Sequence, residues 1–269
     1  MIESIESFVL KLVTGIAMMW LLMPRRDVTD GFFRIQMLVA LGLSVLLVLV
    51  VQSGNPSQEM NSPASLMTSD IRTQAGNALI HFAQLGTAVV AFAGHIVWKL
   101  GRRLPGAIAI YVIALLCFLS LATASLADGV NFESLNLLLS DLVSAVVLGA
   151  ALTGMLLGHW YLTTPTMSIG PLSWFTRALA VAAVLRLLMT SFSLFRFGFA
   201  SHDLVHLSCL ILRIVGGILV PFATAVVVTR ILKYRNTQSA TGVLFAALIL
   251  VFLGEMTAAL LERDLRIPY

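Results

Sequence analysis

Apolar residues run along this chain in blocks of about twenty, separated by short polar gaps, with no alternation of period two that would mark strands. The blocks cover 5–23, 35–52, 77–98, 105–127, 136–162, 172–194, 204–232 and 240–261. A helix needs about 20 mostly apolar residues to cross the hydrocarbon layer of a bilayer, so each block is long enough to span one. The pattern predicts an all-α polytopic bundle of about eight transmembrane helices forming a single domain over 1–269. Two connections stand out. Residues 53–76 read as a long loop rich in Ser, Asn, Gln, Pro and Met, and 193–203 mixes aromatic and polar residues as membrane interfaces do.

Composition agrees with the pattern. Of the 269 residues 59% are hydrophobic and 11% are charged, with a mean hydropathy of +0.96, whereas soluble domains carry about 25% charged residues. The net charge of +4 does not point to nucleic acid, because the basic residues sit in small groups at the ends of apolar blocks. Counting them fixes an orientation. With the N-terminus outside, the inside receives Arg25, Arg26, Arg34, Lys99, Arg102, Arg103, Arg177, Arg230, Lys233 and Arg235, ten in all, against four outside, Arg72, Arg196, Arg263 and Arg266. The connection from Asp128 to Asp141, also outside, has no basic residue. The positive-inside rule therefore expects both termini outside, in a multi-pass protein of a bacterial inner membrane. The first block lacks a basic leader and ends in Pro24-Arg25-Arg26, so it is expected to be a retained span.

Chemistry must come from the few polar groups inside the blocks, since ionisable residues in a membrane helix are costly and face a cavity, cofactor or partner helix. Cys117 and Cys209 both lie in apolar blocks, and there is no Cys-x-x-Cys-His attachment site. His81 and His95 share the third block, fourteen residues apart. Fourteen steps of about 100° bring them to within roughly 40° on one face, about 21 Å apart along the axis.

That His-x13-His helix resembles those of the dihaem b-type cytochrome membrane subunits, in which such a pair supplies one axial ligand to each of two haems. The resemblance implies two b haems, one near each face, and electron transfer between a quinone pool and a partner redox protein in a multi-subunit complex. A second helix of this chain does not repeat the pair, so the other two ligands would come from two different helices. By depth, His206 on the seventh block matches His81 at the outer level, and His159 on the fifth matches His95 at the inner level. The expected haem-iron ligands are thus His81 with His206 and His95 with His159, with His202 as a substitute for His206. Gly86, Ala91 and Gly94 on the third block and Gly149, Gly154 and Gly158 on the fifth would give faces small enough for a porphyrin, or serve ordinary helix packing. Haem propionates need cationic partners near the surface. Arg72 is the outer candidate, and Lys99, Arg102 and Arg103 are the inner ones.

Arg186 and Arg213 lie well inside apolar blocks, as does Glu255 in Gly254-Glu255-Met256. Arg213 can approach a haem edge or pair with Glu255. Glu255 can act as a proton relay or quinol-site base, or form an ion pair with Arg186 or Arg213. Pro221, following Gly216-Gly217, is expected to kink the seventh helix. The closing stretch Gly242 to Arg263 is similar to the ends of NrfD-like membrane anchors, which implies the alternative of direct, haem-free quinol binding. A transporter using Arg186, Arg213 and Glu255 is a third reading, without an inverted repeat to support it. No phosphate-binding loop, Ser-His-Asp arrangement or dinucleotide fingerprint occurs.

Overall fold

The structure, a computed structural model, describes residues 2–54, 69–127, 129–164, 166–198 and 204–265. Among them every regular element is helical: α1 (Ile2–Leu22), a 3-10 turn (Arg25–Asp27), α2 (Asp30–Gly54), α3 (Ser69–Lys99), α4 (Arg103–Ser125), α5 (Phe132–Thr163), α6 (Gly170–Phe197), α7 (Leu204–Ile214), a π-helical segment (Val215–Leu219), α8 (Val220–Lys233) and α9 (Thr237–Leu265). With α7, the π segment and α8 forming one continuous rod, eight helices are long and apolar enough to cross a membrane. The chain is an all-α polytopic bundle of the kind a multi-pass membrane protein forms, because only a helix satisfies every backbone N–H and C=O within its own segment where water is absent.

Each expected block coincides with a helix; six lie wholly within theirs, while 5–23 and 105–127 run one and two residues past the ends of α1 and α4, and elsewhere the helices overrun the blocks. α3 starts at Ser69 rather than near residue 77, and α2 continues to Gly54, so the connection expected over 53–76 shrinks to 55–68, outside the described residues. Helical hydrogen bonding continues past the apolar core into polar sequence that water or headgroups can solvate, so hydropathy alone underestimates helix length. Tight connections have local causes. Gly101 turns α3 into α4 at φ +68, and Gly198 closes α6 at φ +69, backbone angles that L side chains rarely adopt. Asn131 caps α5 by accepting from Ser134 N at 2.8 Å, while Ser134 Oγ accepts from Asn131 N at 3.0 Å.

The bundle is organised around α1 and α5, its two most buried spans. They cross backbone to backbone at Gly15 and Gly149, where a Cβ on either residue would overlap the other helix's main chain. α2, α4 and α9 also pack on α1, and α6 and α9 on α5. At the periphery α3 lies against α2 and α4, and Phe82, Leu85, Val89, Phe92 and Ile96 form an exposed stripe along it, at the spacing of one helical face turned to lipid. In the seventh span, the winding widens to π over Val215–Leu219 directly ahead of Pro221, whose missing N–H and ring disturb the preceding turn. Gly216 and Gly217 in that segment meet Leu250 and Gly254 of α9 at main-chain distance.

Eight spans place both termini on one face of the bundle. Arg263 of α9 lies 3.6 Å from Glu3 of α1 on that face. On the opposite face Arg103 pairs with Asp30 at 3.0 Å, Arg25 donates to the Tyr111 hydroxyl at 2.8 Å, and Trp160 donates to Thr29 Oγ1 at 2.8 Å.

Candidate functional site

Six ionisable side chains meet inside the half of the bundle nearer the termini. Three are cations, Lys11, Arg186 and Arg213, and three are carboxylates, Asp141, Glu255 and Glu262. They come from five helices, yet five of the six lie nine to eleven residues from the same helix ends, about 13–17 Å below that face at 1.5 Å per residue. Glu262 stands closer, three residues from the end of α9. The Lys11 ammonium contacts Asp141 Oδ1 at 2.6 Å and Glu262 Oε2 at 3.0 Å. Arg213 Nη1 donates to Glu255 Oε1 at 2.5 Å, and Arg186 Nε stands 3.9 Å from the same oxygen. Arg186 Nη1 also donates to Ser140 Oγ at 2.6 Å and to Ser140 O at 3.0 Å. Ser125 of α4 donates to Asp141 Oδ2 at 2.7 Å.

Burial makes the grouping informative. Lys11 and Asp141 keep 7% and 9% of their side-chain surface, Glu262 keeps 20%, and Arg186, Arg213 and Glu255 keep 2% or less. An unpaired ion at the centre of a membrane helix costs about 2.5–3.5 kcal/mol on insertion scales. Three positive and three negative charges cancel, so the assembled group escapes most of that cost. Even so, buried ion pairs seldom stabilise a fold more than apolar packing of the same volume would. Six charges joined by four such contacts are therefore not accounted for by stability alone.

A cavity of about 550 Å³ opens beside this group, between α1, α3, α4 and α5 on the termini side. Asp141 forms part of its wall, together with Glu3, Glu6 and Asn77; the rest is mainly aliphatic, including Leu10, Ile80, Leu119 and Leu121. Size and lining suit a small, flat, apolar ligand with a few polar groups. Asp141 thus belongs to the cavity wall and also contacts the Lys11 ammonium.

The histidines are distributed differently. His81 is half-buried, with Nε2 3.4 Å from Gln52 Nε2 of α2, and His95 is half-buried, with Nδ1 3.1 Å from the Arg34 carbonyl oxygen. His159 is exposed at the far end of α5, and His206 Nε2 lies 3.6 Å from Asp264 Oδ2 of α9. Both α3 histidines thus engage α2, whereas α3 packs on α2 and α4 and α7 packs on α9. Neither expected pair is drawn together by direct packing of its two helices. His95 does have the orientation of an iron ligand, since a carbonyl at Nδ1 leaves Nε2 to coordinate. The His81 contact occupies Nε2 instead. No cluster of three or more His, Cys, Asp or Glu able to hold a metal occurs among the described residues. The glycines considered for haem faces meet protein: Gly86 meets Leu116, Gly94 meets Met37, Gly154 meets Phe175, and Gly158 meets Thr241. Arg103 is bound to Asp30 while Arg102 and Lys99 are exposed at the opposite face. The Arg72 side chain and His202 lie outside what is described.

Of the network, sequence reasoning singled out Arg186, Arg213 and Glu255, and the structure pairs Glu255 with both arginines. It passed over Lys11, Asp141 and Glu262. The signal was present for Lys11, an ammonium in the middle of the first apolar block. Asp141 was counted with the acidic connection before it, and Glu262 sits one residue beyond the last block.

Fold and site together define a polytopic helical membrane protein with a charge-balanced polar centre and an adjoining cavity. No family model matches the chain, and no curated protein or solved structure matches it either.

Proposed function

We propose that the chain is a quinol-binding membrane subunit, taking the ring of a quinol into the acid-lined cavity and passing its electrons to the redox centre of a partner protein. The observation that carries this reading is Asp141, a buried carboxylate in an otherwise mostly aliphatic wall, held by Ser125 and Lys11. Quinol oxidation releases two electrons and two protons, and therefore needs a base at hydrogen-bonding distance from a ring hydroxyl within an apolar slot. Asp141 supplies the base, with Glu6 a second carboxylate on the same wall. By the count of basic residues the cavity faces the outside of a bacterial inner membrane, so the protons leave on that side. Photolabelling with a short-tailed photoreactive quinone, mapped by mass spectrometry, tests the reading. Labels are expected on Leu10, Ile80 and the 119–126 segment, reduced in Asp141→Asn. Labelling confined to the lipid-facing stripe of α3 refutes it.

A second reading is favoured by one contact, His95 Nδ1 against the Arg34 carbonyl oxygen. It orients the imidazole as a haem ligand of the inner level, with His159 as the expected partner. A bound haem would supply one-electron transfer there, with Lys99, Arg102 and Arg103 available for its propionates. A reduced-minus-oxidised visible spectrum of purified protein decides this, a b-type signal lost in His95→Ala supporting it and haem-free native material removing it.

A further inference from the structure

We propose that Asp141, Lys11 and Glu262 form a proton relay that leads from the cavity wall, through the bundle, to the partly exposed Glu262 on α9. This rests on the quinol reading, which supplies the proton at the cavity end.

The geometry is that of a carboxylate, an ammonium and a carboxylate in series. Asp141 lies in the cavity wall, Lys11 bridges at 2.6 Å and 3.0 Å, and Glu262, the most exposed member of the network, lies on α9, which does not line the cavity. Both distances are short enough for direct transfer without an intervening water. The step balances. A quinol hydroxyl gives its proton to Asp141; Asp141 passes a proton to Lys11 as Lys11 gives one of its own to Glu262; and Glu262 releases its proton to water. Lys11 ends as it began, an ammonium, and the net change is one proton moved from the cavity to Glu262. His206 and Asp264 stand together at the same end of the bundle, half-buried and exposed respectively.

Glu3 and Glu6 of α1 line the cavity and make its mouth negative. Arg213 of α7, bound to Glu255, lies within electrostatic reach of Glu262, and Arg263 faces Glu3 at the surface. A purely structural clamp would need neither a place in the cavity wall at one end nor partial exposure at the other.

The test separates relay from clamp by closing the cavity. The full chain carrying Cys209→Ser and Asn77→Cys is reconstituted in liposomes, and the cavity-wall cysteine is capped with a bulky maleimide; Cys117 is fully buried. After an acid jump of the external medium, protonation of Asp141 is followed by its infrared carboxyl band, identified by its loss in Asp141→Asn. The relay predicts that the capped protein protonates Asp141 at close to the uncapped rate, because protons arrive through Glu262. In capped Glu262→Gln the rate should fall about a hundredfold, the lower range of what one positioned acid–base group contributes, and Glu262→Asp should restore part of it. If capping alone stops protonation in the chain with Glu262 intact, the relay is wrong, and that comparison needs no change to the network. Photoquinone labelling of the uncapped, unsubstituted chain is read in parallel. Its failure would remove the quinol reading and leave the relay result standing.

Discussion

Replacing Lys11 by Met keeps the length of the side chain and removes the single charge that faces both Asp141 and Glu262. At 2.6 Å and an effective dielectric of about 20, one unit pair is worth about 6 kcal/mol before desolvation is subtracted, and Lys11 makes two such contacts. Most of this is offset by what it costs to strip water from three ions, so the pairs add little net stability while intact. Removal of one partner is a different matter, because two buried carboxylates then face each other without a cation. Breaking a buried pair in this way costs about 3–5 kcal/mol, limited by the freedom of one carboxyl to take up a proton. The double substitution Lys11→Met with Asp141→Asn leaves Arg186 and Arg213 against Glu255 and Glu262, again two against two. It should therefore recover at least about half of the single-variant loss, a coupling within the range for contacting residues. Reversible unfolding in mixed micelles, titrated with a denaturing detergent, measures all four corners of the cycle. A Lys11→Met loss under about 1 kcal/mol, the size of an exposed pair, or a double variant as damaged as the sum of the singles, would refute the argument.

Gly149→Leu should be more damaging than any substitution in the exposed stripe of α3, since its Cβ would overlap the Gly15 main chain and neither backbone can yield cheaply; a loss of about 1–3 kcal/mol or more is expected in the same assay, against near-neutrality for Val89→Ala. Arg103→Gln should cost less than about 0.5 kcal/mol, because its ion pair with Asp30 has the arginine 59% exposed; a larger loss would mean that this end of α4 is held by something other than apolar packing.

The spans could be read from the sequence because hydropathy over about twenty residues measures the one quantity the bilayer selects for. Their ends could not, since helices such as α3 and α5 continue into polar sequence at the interface. The sequence reading pairs the histidines by expected depth. Depth is only one coordinate, however. Which helices are neighbours and how each is rotated depends on close crossings such as Gly15 with Gly149 and Gly217 with Gly254, and nothing in the period of the apolar residues shows that α3 packs against α2 rather than against α5 or α7. The same limit separates the two halves of the charge network. Arg186, Arg213 and Glu255 were conspicuous as charges deep in apolar blocks, whereas Asp141 and Glu262 lie close enough to block ends to pass for interfacial residues.

Arithmetic on the basic residues points the same way. Of seventeen Lys and Arg, ten fall in connections on one face and four in connections on the other, which leaves Lys11, Arg186 and Arg213. Topology requires none of these three, and each binds a buried carboxylate of the network. Topological charges can shift by a turn or be exchanged between Lys and Arg without consequence, because lipid headgroups and water solvate any of them. The buried three have no such freedom. Arg186 reaches both Ser140 and Glu255, which requires the spread of donors a guanidinium offers and an ammonium does not. Lys11 bridges two carboxylates on different helices as a compact donor. The division between the two residue types follows the geometry of the sites, with arginine where donors are spread over two partners and lysine where one compact donor bridges two carboxylates.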